Sequence, residues 1–258
     1  MSLKLSQSEL EAVFSSQSLG SWEIEFYEQL ESTMIAARER IPTTRPVCVL
    51  AQSQGGGRGQ HGRAWVSEPG GLYATYLIPV PLECTGTLQG FSLLVGIACA
   101  EVLESSGGQV MLKWPNDIYT REGKKLGGIL CECHEQSGTR WLAIGIGINV
   151  DNALTLPTQA SIRSIGVTRA SVSVLASAIA AQLEQMMKRY VDRSMAGIAE
   201  DWERRDFLLG RSVVIEALNA KYLGQVRGIQ EEGALLLESA EGLMSVWSGH
   251  VIVPDERL

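Results

Sequence analysis

A short apolar strand, Val47-Cys48-Val49-Leu50-Ala51, runs within a few residues into Gly55-Gly56-Gly57-Arg58-Gly59-Gln60-His61-Gly62-Arg63-Ala64-Trp65, and this junction restricts the fold more than any other stretch. So many glycines cannot sit in a helix or a packed strand interior without a large entropic loss, so the segment must be a loop leaving the end of a buried strand. Glycine also lets the main chain approach a ligand closely, and Arg58 and Arg63 add planar forks of donors suited to phosphate or carboxylate oxygens. An anion cradle and a mobile surface loop are the two readings at this point. Gly57-Arg58-Gly59-Gln60-His61-Gly62 also spells G-x-G-x-x-G, but the dinucleotide fingerprint needs a helix to open within it. Arg63 to Gly71 cannot supply one, because Val66, Pro69 and Gly70-Gly71 interrupt it. Nor is there a G-x-x-x-x-G-K-[ST] phosphate loop, since Gly123-Lys124-Lys125 continues into Leu126.

Around this loop, strands and helices follow one another. Residues 22–27 alternate apolar and polar as a half-buried strand does, and Ser32 or Thr33 can cap a helix over Met34 to Arg40 that Pro42 and Pro46 stop. Leu72 to Val80 reads as a strand, 88–105 as a largely buried helix ended by Gly107-Gly108, and Val110 to Lys113 as another strand. Lys125 to His134 and Trp141 to Asn149 form a hairpin around Gln136-Ser137-Gly138. A second long helix covers about 172–190, with Leu175, Ile179, Leu183, Met186 and Tyr190 as one core-facing stripe. From Gly210 the texture changes to five short strands at turn spacing, over 212–217, 222–229, 234–238, 243–246 and 250–253. That is the pattern of a small β-barrel, too small to be very stable unless it docks on the rest.

The formal net charge of -7 sets aside general nucleic-acid binding, and the basic clusters at Arg58 to Arg63, Lys124-Lys125 and Arg204-Arg205 are local. No window holds the roughly 18 consecutive apolar residues of a membrane span, and the N-terminus has no apolar secretion core, so no membrane association and a cytoplasmic setting are expected. Five cysteines without framework spacing fit a reducing compartment. Cys131, Cys133 and His134 lack a second ligand pair for a metal and read as small buried thiols on one strand face.

Two further constellations carry chemistry. Lys113-Trp114-Pro115-Asn116-Asp117 sets a cation, an amide and a carboxylate around a rigid turn, and is either a polar turn or a hard-oxygen site suited to Mg²⁺ and phosphate. Lys125-Leu126-Gly127-Gly128 and Gly145-Ile146-Gly147-Ile148-Asn149 place glycines where side chains would otherwise fill a strand face, either for a tight crossing or for a ligand.

Taken in order, Glu31-Ser32-Thr33, Gln54 with Gly57-Arg58-Gly59 and Gly62-Arg63-x-Trp65, Lys113-Trp114-Pro115-Asn116-Asp117, Lys125-Leu126-x-Gly128-Ile129-Leu130 and Gly145-x-Gly147-Ile148-Asn149 resemble the motifs of the biotin–protein ligases, over about residues 28–258. The resemblance implies an α/β (α+β) fold. A mixed β-sheet catalytic domain packed with helices, similar to that of class II aminoacyl-tRNA synthetases, would span 1–208, and a small C-terminal SH3-like β-barrel 209–258. It implies condensation of biotin and ATP to biotinyl-5'-adenylate, then transfer of biotin to one lysine of a biotin carboxyl carrier domain. Lys125, Arg58 and Asp117 take the catalytic positions. Ser32, Thr33, Met34, Gln54, Arg58, Gly59, Gln60, Lys125, Gly128, Gly145 and Gly147 take those around biotin. Arg58, Arg63, Trp65, Asn116, Lys125 and Asn149 take those around ATP, with Asp117 and Asn116 near Mg²⁺. The loop is expected to order over the adenylate as a flexible lid. Gln60 and Met34 depart from the arginine and asparagine usual in the family, and about 30 residues precede the Ser-Thr pair, too few for the winged DNA-binding domain of some relatives. No DNA partner is therefore expected, and a homodimer is left open. The rivals are a lipoate or octanoyl ligase-transferase and a non-catalytic ligand sensor.

Overall fold

The computed structural model describes residues 5–80, 90–193, 195–218 and 220–254. Among the described residues, twelve strands and five α-helices make two sheets with helices on the larger one. The larger sheet is mixed and seven-stranded, in the order β1 (Glu23–Leu30), β2 (Val47–Gln54), β3 (Leu72–Val80), β7 (Thr139–Ile148), β6 (Lys125–Gln136), β5 (Asp117–Tyr119), β4 (Met111–Lys113). β1 and β2 run parallel, joined through the short helix α2 (Thr33–Arg38), and every other neighbouring pair is antiparallel.

Alternation along the central strands separates the two faces. Cys48, Leu50, Ala74, Tyr76, Ile144 and Ile146 enter the main core, against α1 (Gln7–Ser16), α3 (Phe91–Ser105) and α4 (Val172–Arg193). Val47, Val49, Leu77, Trp141 and Ala143 face the other way and pack with Ala37 of α2. The helix stripe expected over 172–190 is core as read: Leu175, Ile179, Leu183, Met186 and Tyr190 are all buried. The predicted start of α3 at residue 88 lies outside the described residues. α1 carries no strong sequence signal beyond its cap, the Ser6 hydroxyl accepting from the Glu9 amide at 3.2 Å. β5 is missing from the predicted strands because three residues are too few to show alternation.

Two expectations change. The C-terminal strands β8 (Ser212–Glu216), β9 (Lys221–Ile229), β10 (Leu235–Ser239), β11 (Gly242–Val246) and β12 (His250–Ile252) fall where the turn spacing puts them. They form an antiparallel sheet in the order β11-β10-β9-β8-β12, and among the described residues no ladder joins the two edge strands, so the expected barrel stays open. The second concerns the thiols on β6: Cys131 is only half-buried and Cys133 exposed, because the β6–β7 hairpin end is solvated, Gln136, Ser137 and Gly138 included. Burial still pushes the Cys131 thiol up to about 12, so it is neutral at ordinary pH. Among the described residues no group of three His, Cys, Asp or Glu side chains is placed to hold a metal ion, and no helix is long and apolar enough to cross a membrane.

The smaller sheet docks on the larger through main-chain joints and a few side chains. Phe207 donates its amide to Leu112 of β4, and Leu112 donates to Arg205, just past α5 (Ile198–Glu203). The Trp114 indole donates to the Gly233 carbonyl at 3.0 Å. Asp206 sits in this joint, 6% exposed, and burial pushes its carboxyl up to about 6, offset in part by the Leu208 amide. The folded chain therefore holds more protons than the unfolded chain between about pH 4 and pH 6, and stability falls as pH rises through that window, by roughly 3 kcal/mol. Asp206→Asn keeps the acceptor for Leu208 and is expected to stabilise at pH 7 but not below about pH 4. Denaturant unfolding at both values checks this, and an equal gain at both would reject it.

Candidate active site

The cross-strand register explains the glycines. Gly128 of β6, Gly147 of β7 and Tyr73 of β3 are register partners in one row, and Leu130, Gly145 and Thr75 in the next. Both rows belong to the face that carries α2, so the glycines clear a shallow floor there. Two side chains lie over that floor. A β-carbon built at Gly145 would stand 2.9 Å from the Met34 sulfur, and one at Gly147 2.6 Å from Trp65 Nε1. Met34 thus fills the space above Gly145.

One wall is a chain of polar side chains. Gln54, at the end of β2, accepts through Oε1 from the Thr33 amide at 2.8 Å and the Thr33 hydroxyl at 3.1 Å, and donates through Nε2 to Ser67 Oγ at 2.8 Å. Thr75, fully buried in β3, donates its hydroxyl to Thr33 Oγ1 at 2.9 Å. Ser32 occupies the cap position of α2, yet its hydroxyl makes no cap bond, and it is 2% exposed at the edge of the cavity.

The glycine loop folds over this floor as a short hairpin. Gly59 donates to the Arg63 carbonyl and Trp65 to that of Gly57, both at 2.8 Å, around a 3₁₀ turn over Gln60–Gly62 in which Gly62 has φ 72°. Gln54 and Ser67 tie its base together. These bonds hold a segment that its composition alone suggests would be loose. Arg58 and Arg63 are exposed, and the Arg63 guanidinium donates to Nδ1 of His250 on β12 at 3.1 Å.

Opposite the loop, Lys125 opens β6. Its ammonium lies 2.6 Å from Asp117 Oδ1 and 5.3 Å from the Trp65 ring centre. Asn116 holds the neighbouring strand, donating from Nδ2 to the Ile129 carbonyl at 2.7 Å. Lys113 and Asn116-Asp117 flank the Trp-Pro turn, and the Lys113 ammonium sits 3.4 Å from the Tyr119 hydroxyl and above that ring.

These groups enclose a cavity of about 300 Å³, large enough for a small ligand. Ser32, Thr33, Met34, Gln54, Arg58, Gly59, Gln60, Arg63, Trp65, Asn116, Asp117, Lys125, Gly128, Gly145 and Gly147 all line it. Asn149 stands apart: 2% exposed, it donates to the Ala160 carbonyl at 3.1 Å and accepts from Asn152 at 3.0 Å, behind the Lys125 strand. The sequence reading passed over Thr75, which no motif marks, and the Gly249-His250-Val251 wall from the smaller sheet, which only the docking of the two sheets brings to the cavity. Among the described residues the lining holds four cations, Arg58, Arg63, Lys113 and Lys125, against the single carboxylate of Asp117. In an acidic chain this concentrates positive potential in the cavity and favours an anionic occupant.

Residues 26–149 match the biotin/lipoate A/B protein ligase family, and residues 208–253 the biotin protein ligase C-terminal domain. The chain is 31% identical to the bifunctional ligase/repressor BirA of Bacillus spizizenii over 96% of its length and 79% of that protein. It is 28% identical to the biotin–[acetyl-CoA-carboxylase] ligase of Mycobacterium tuberculosis, over 80% of this chain and 78% of that one. The fold superimposes on the biotin protein ligase of Aquifex aeolicus in complex with biotin and ATP with a TM-score of 0.76 at 26% identity, covering 89% of this chain and 97% of that one. With a relative at 31% identity matched over nearly the whole chain, and residues 208–253 matched to a domain named for the biotin enzymes alone, the chain belongs to the biotin protein ligase family.

Proposed function

We propose that the cavity joins biotin to ATP and passes the biotinyl group to a lysine of a carboxyl carrier domain, as a biotin–[acetyl-CoA-carboxylase] ligase working in the cytoplasm. The observation that carries this reading is the one cavity in which a glycine floor, an amide-and-hydroxyl wall and four cations meet. The wall of Ser32, Thr33 and Gln54 offers both donors and acceptors, which a ureido ring requires. Met34 and the floor at Gly145 suit the apolar ring and chain beside it.

In the first half-reaction a carboxylate oxygen of biotin forms a bond to the α-phosphorus of ATP, the bond from that phosphorus to the bridging oxygen breaks, and pyrophosphate leaves. Two anions must meet, and charge gathers on the phosphoryl oxygens, so a fixed ammonium at Lys125 lowers the barrier. Arg58 and Arg63 in the hairpin hold the phosphates, and the buried indole N–H of Trp65 has no acceptor among the described residues. Asp117 and Asn116 are too few to keep a resident metal but suit a Mg²⁺ that arrives on the triphosphate, since that ion takes one or two carboxylates and retains water. When bound it would neutralise phosphate charge. Asn149 acts through its backbone bonds, fixing the strand from which Lys125 projects.

In the second half-reaction the carrier lysine attacks the acyl carbon, and AMP leaves. The attacking ammonium must first lose a proton, and Asp117, the one carboxylate lining the cavity among the described residues, is the group to take it. Gln60 lines the same cavity as an uncharged residue, so the hairpin grips the intermediate with Arg58 and Arg63. Incubation with ATP-Mg²⁺, an apo carrier domain and either biotin or lipoate, followed by mass spectrometry of the carrier, tests the reading. The carrier is expected to gain the biotinyl mass only; gain with lipoate alone, or no gain, would overturn it.

A further inference from the structure

The Arg63–His250 bond reaches between the glycine hairpin and the smaller sheet, and it says more than proximity. A guanidinium has donors only, so the His250 Nδ1 at 3.1 Å must be the acceptor, and the ring is neutral with its proton on Nε2. The ring is placed by fixed backbone: His250 pairs with Glu216 of β8, and the preceding Gly249 is buried, with Ile215 of β8 2.6 Å from where its β-carbon would be. Arg63 itself is exposed, and its guanidinium would otherwise be free to take many rotamers. Burial, and after it the charges of Arg63 and Lys113, hold the imidazole's proton affinity below the ordinary value, which suits an acceptor.

We infer that His250 is a positioning residue for ATP: it acts through Arg63, holding that guanidinium at the cavity mouth so that the smaller sheet sets the geometry of the phosphate-binding hairpin. This deepens the assignment of the cavity to ATP and rests on it. His250 touches no reacting atom, so its loss weakens ATP binding rather than the chemical step.

Biotin-dependent exchange of pyrophosphate into ATP is measured for the wild type, His250→Leu, His250→Asn, Arg63→Ala and the double variant His250→Leu/Arg63→Ala. Loss of one charge-assisted hydrogen bond predicts a KM for ATP about tenfold higher in His250→Leu, with kcat within about twofold. His250→Asn, whose side-chain oxygen lies near the Nδ1 position, restores most of the loss. In the Arg63→Ala background His250→Leu adds nothing, because its route is gone. An unchanged KM in His250→Leu, an equal fall in kcat, failure of asparagine to restore, or additive effects in the double variant would each overturn the inference. Absence of any exchange in the wild type would instead remove the ATP assignment on which it stands.

Discussion

Lys125→Ala is expected to lower the rate of biotinyl-adenylate formation on the order of a thousandfold, the scale seen when a preorganised donor to developing oxyanion charge is removed. The fold should survive, since the backbone of Lys125 is held independently of its side chain. Its amide donates to the Thr158 carbonyl at 2.8 Å and its carbonyl accepts from Ala160 at 2.9 Å. The partner it leaves, Asp117, is partly exposed and can be solvated rather than stranded. Pyrophosphate exchange gives the rate, and circular dichroism the fold. Transfer from separately supplied biotinyl-adenylate should fall much less, because the ammonium's main task is over once the anhydride exists. Near-normal exchange would remove Lys125 from this role; an equal loss in both half-reactions would mean that it mainly binds the intermediate.

What the sequence made legible follows from where its information is local. Strand β3, the β6–β7 hairpin and the five C-terminal strands could be read from alternation and turn residues, and the motifs converge because each sits at the end of a strand or in the loop after one. Thr75 gives no such signal: a threonine in an apolar strand looks like any β-former, and only the register with β2 and β7 turns it toward Thr33. His250 is similar, since its place at the cavity depends on how one sheet docks on another. Asn149 is a different case: its side chain donates to the Ala160 carbonyl behind the Lys125 strand, a placement that spacing along the sequence does not show. The openness of the smaller sheet lay outside reach as well, because strand count and spacing are the same whether or not the edges pair.

The glycines give the second large effect, and two of them behave oppositely. At Gly62 the backbone has φ 72° with open space where a side chain would go, so a substitution there strains the turn. At Gly147 the strand conformation is ordinary and space is the whole issue: a β-carbon would lie 2.6 to 3.0 Å from three atoms of the Trp65 indole. Valine is a favourable strand residue, so Gly147→Val should fold while forcing that ring off the floor. Trp65 also anchors the hairpin, through its amide to Gly57 and its carbonyl to Ser67, so displacing it moves Arg58 and Arg63 away from Lys125. A shift of about 1 Å in such positioning groups costs about a hundredfold. Gly147→Val is therefore expected to lose at least that factor in pyrophosphate exchange, with Gly147→Ala intermediate and both melting within a few degrees of the wild type. Exchange within fivefold of normal in the valine variant would show that the indole can leave the floor without consequence, and the glycine would then serve only the close approach of the strands.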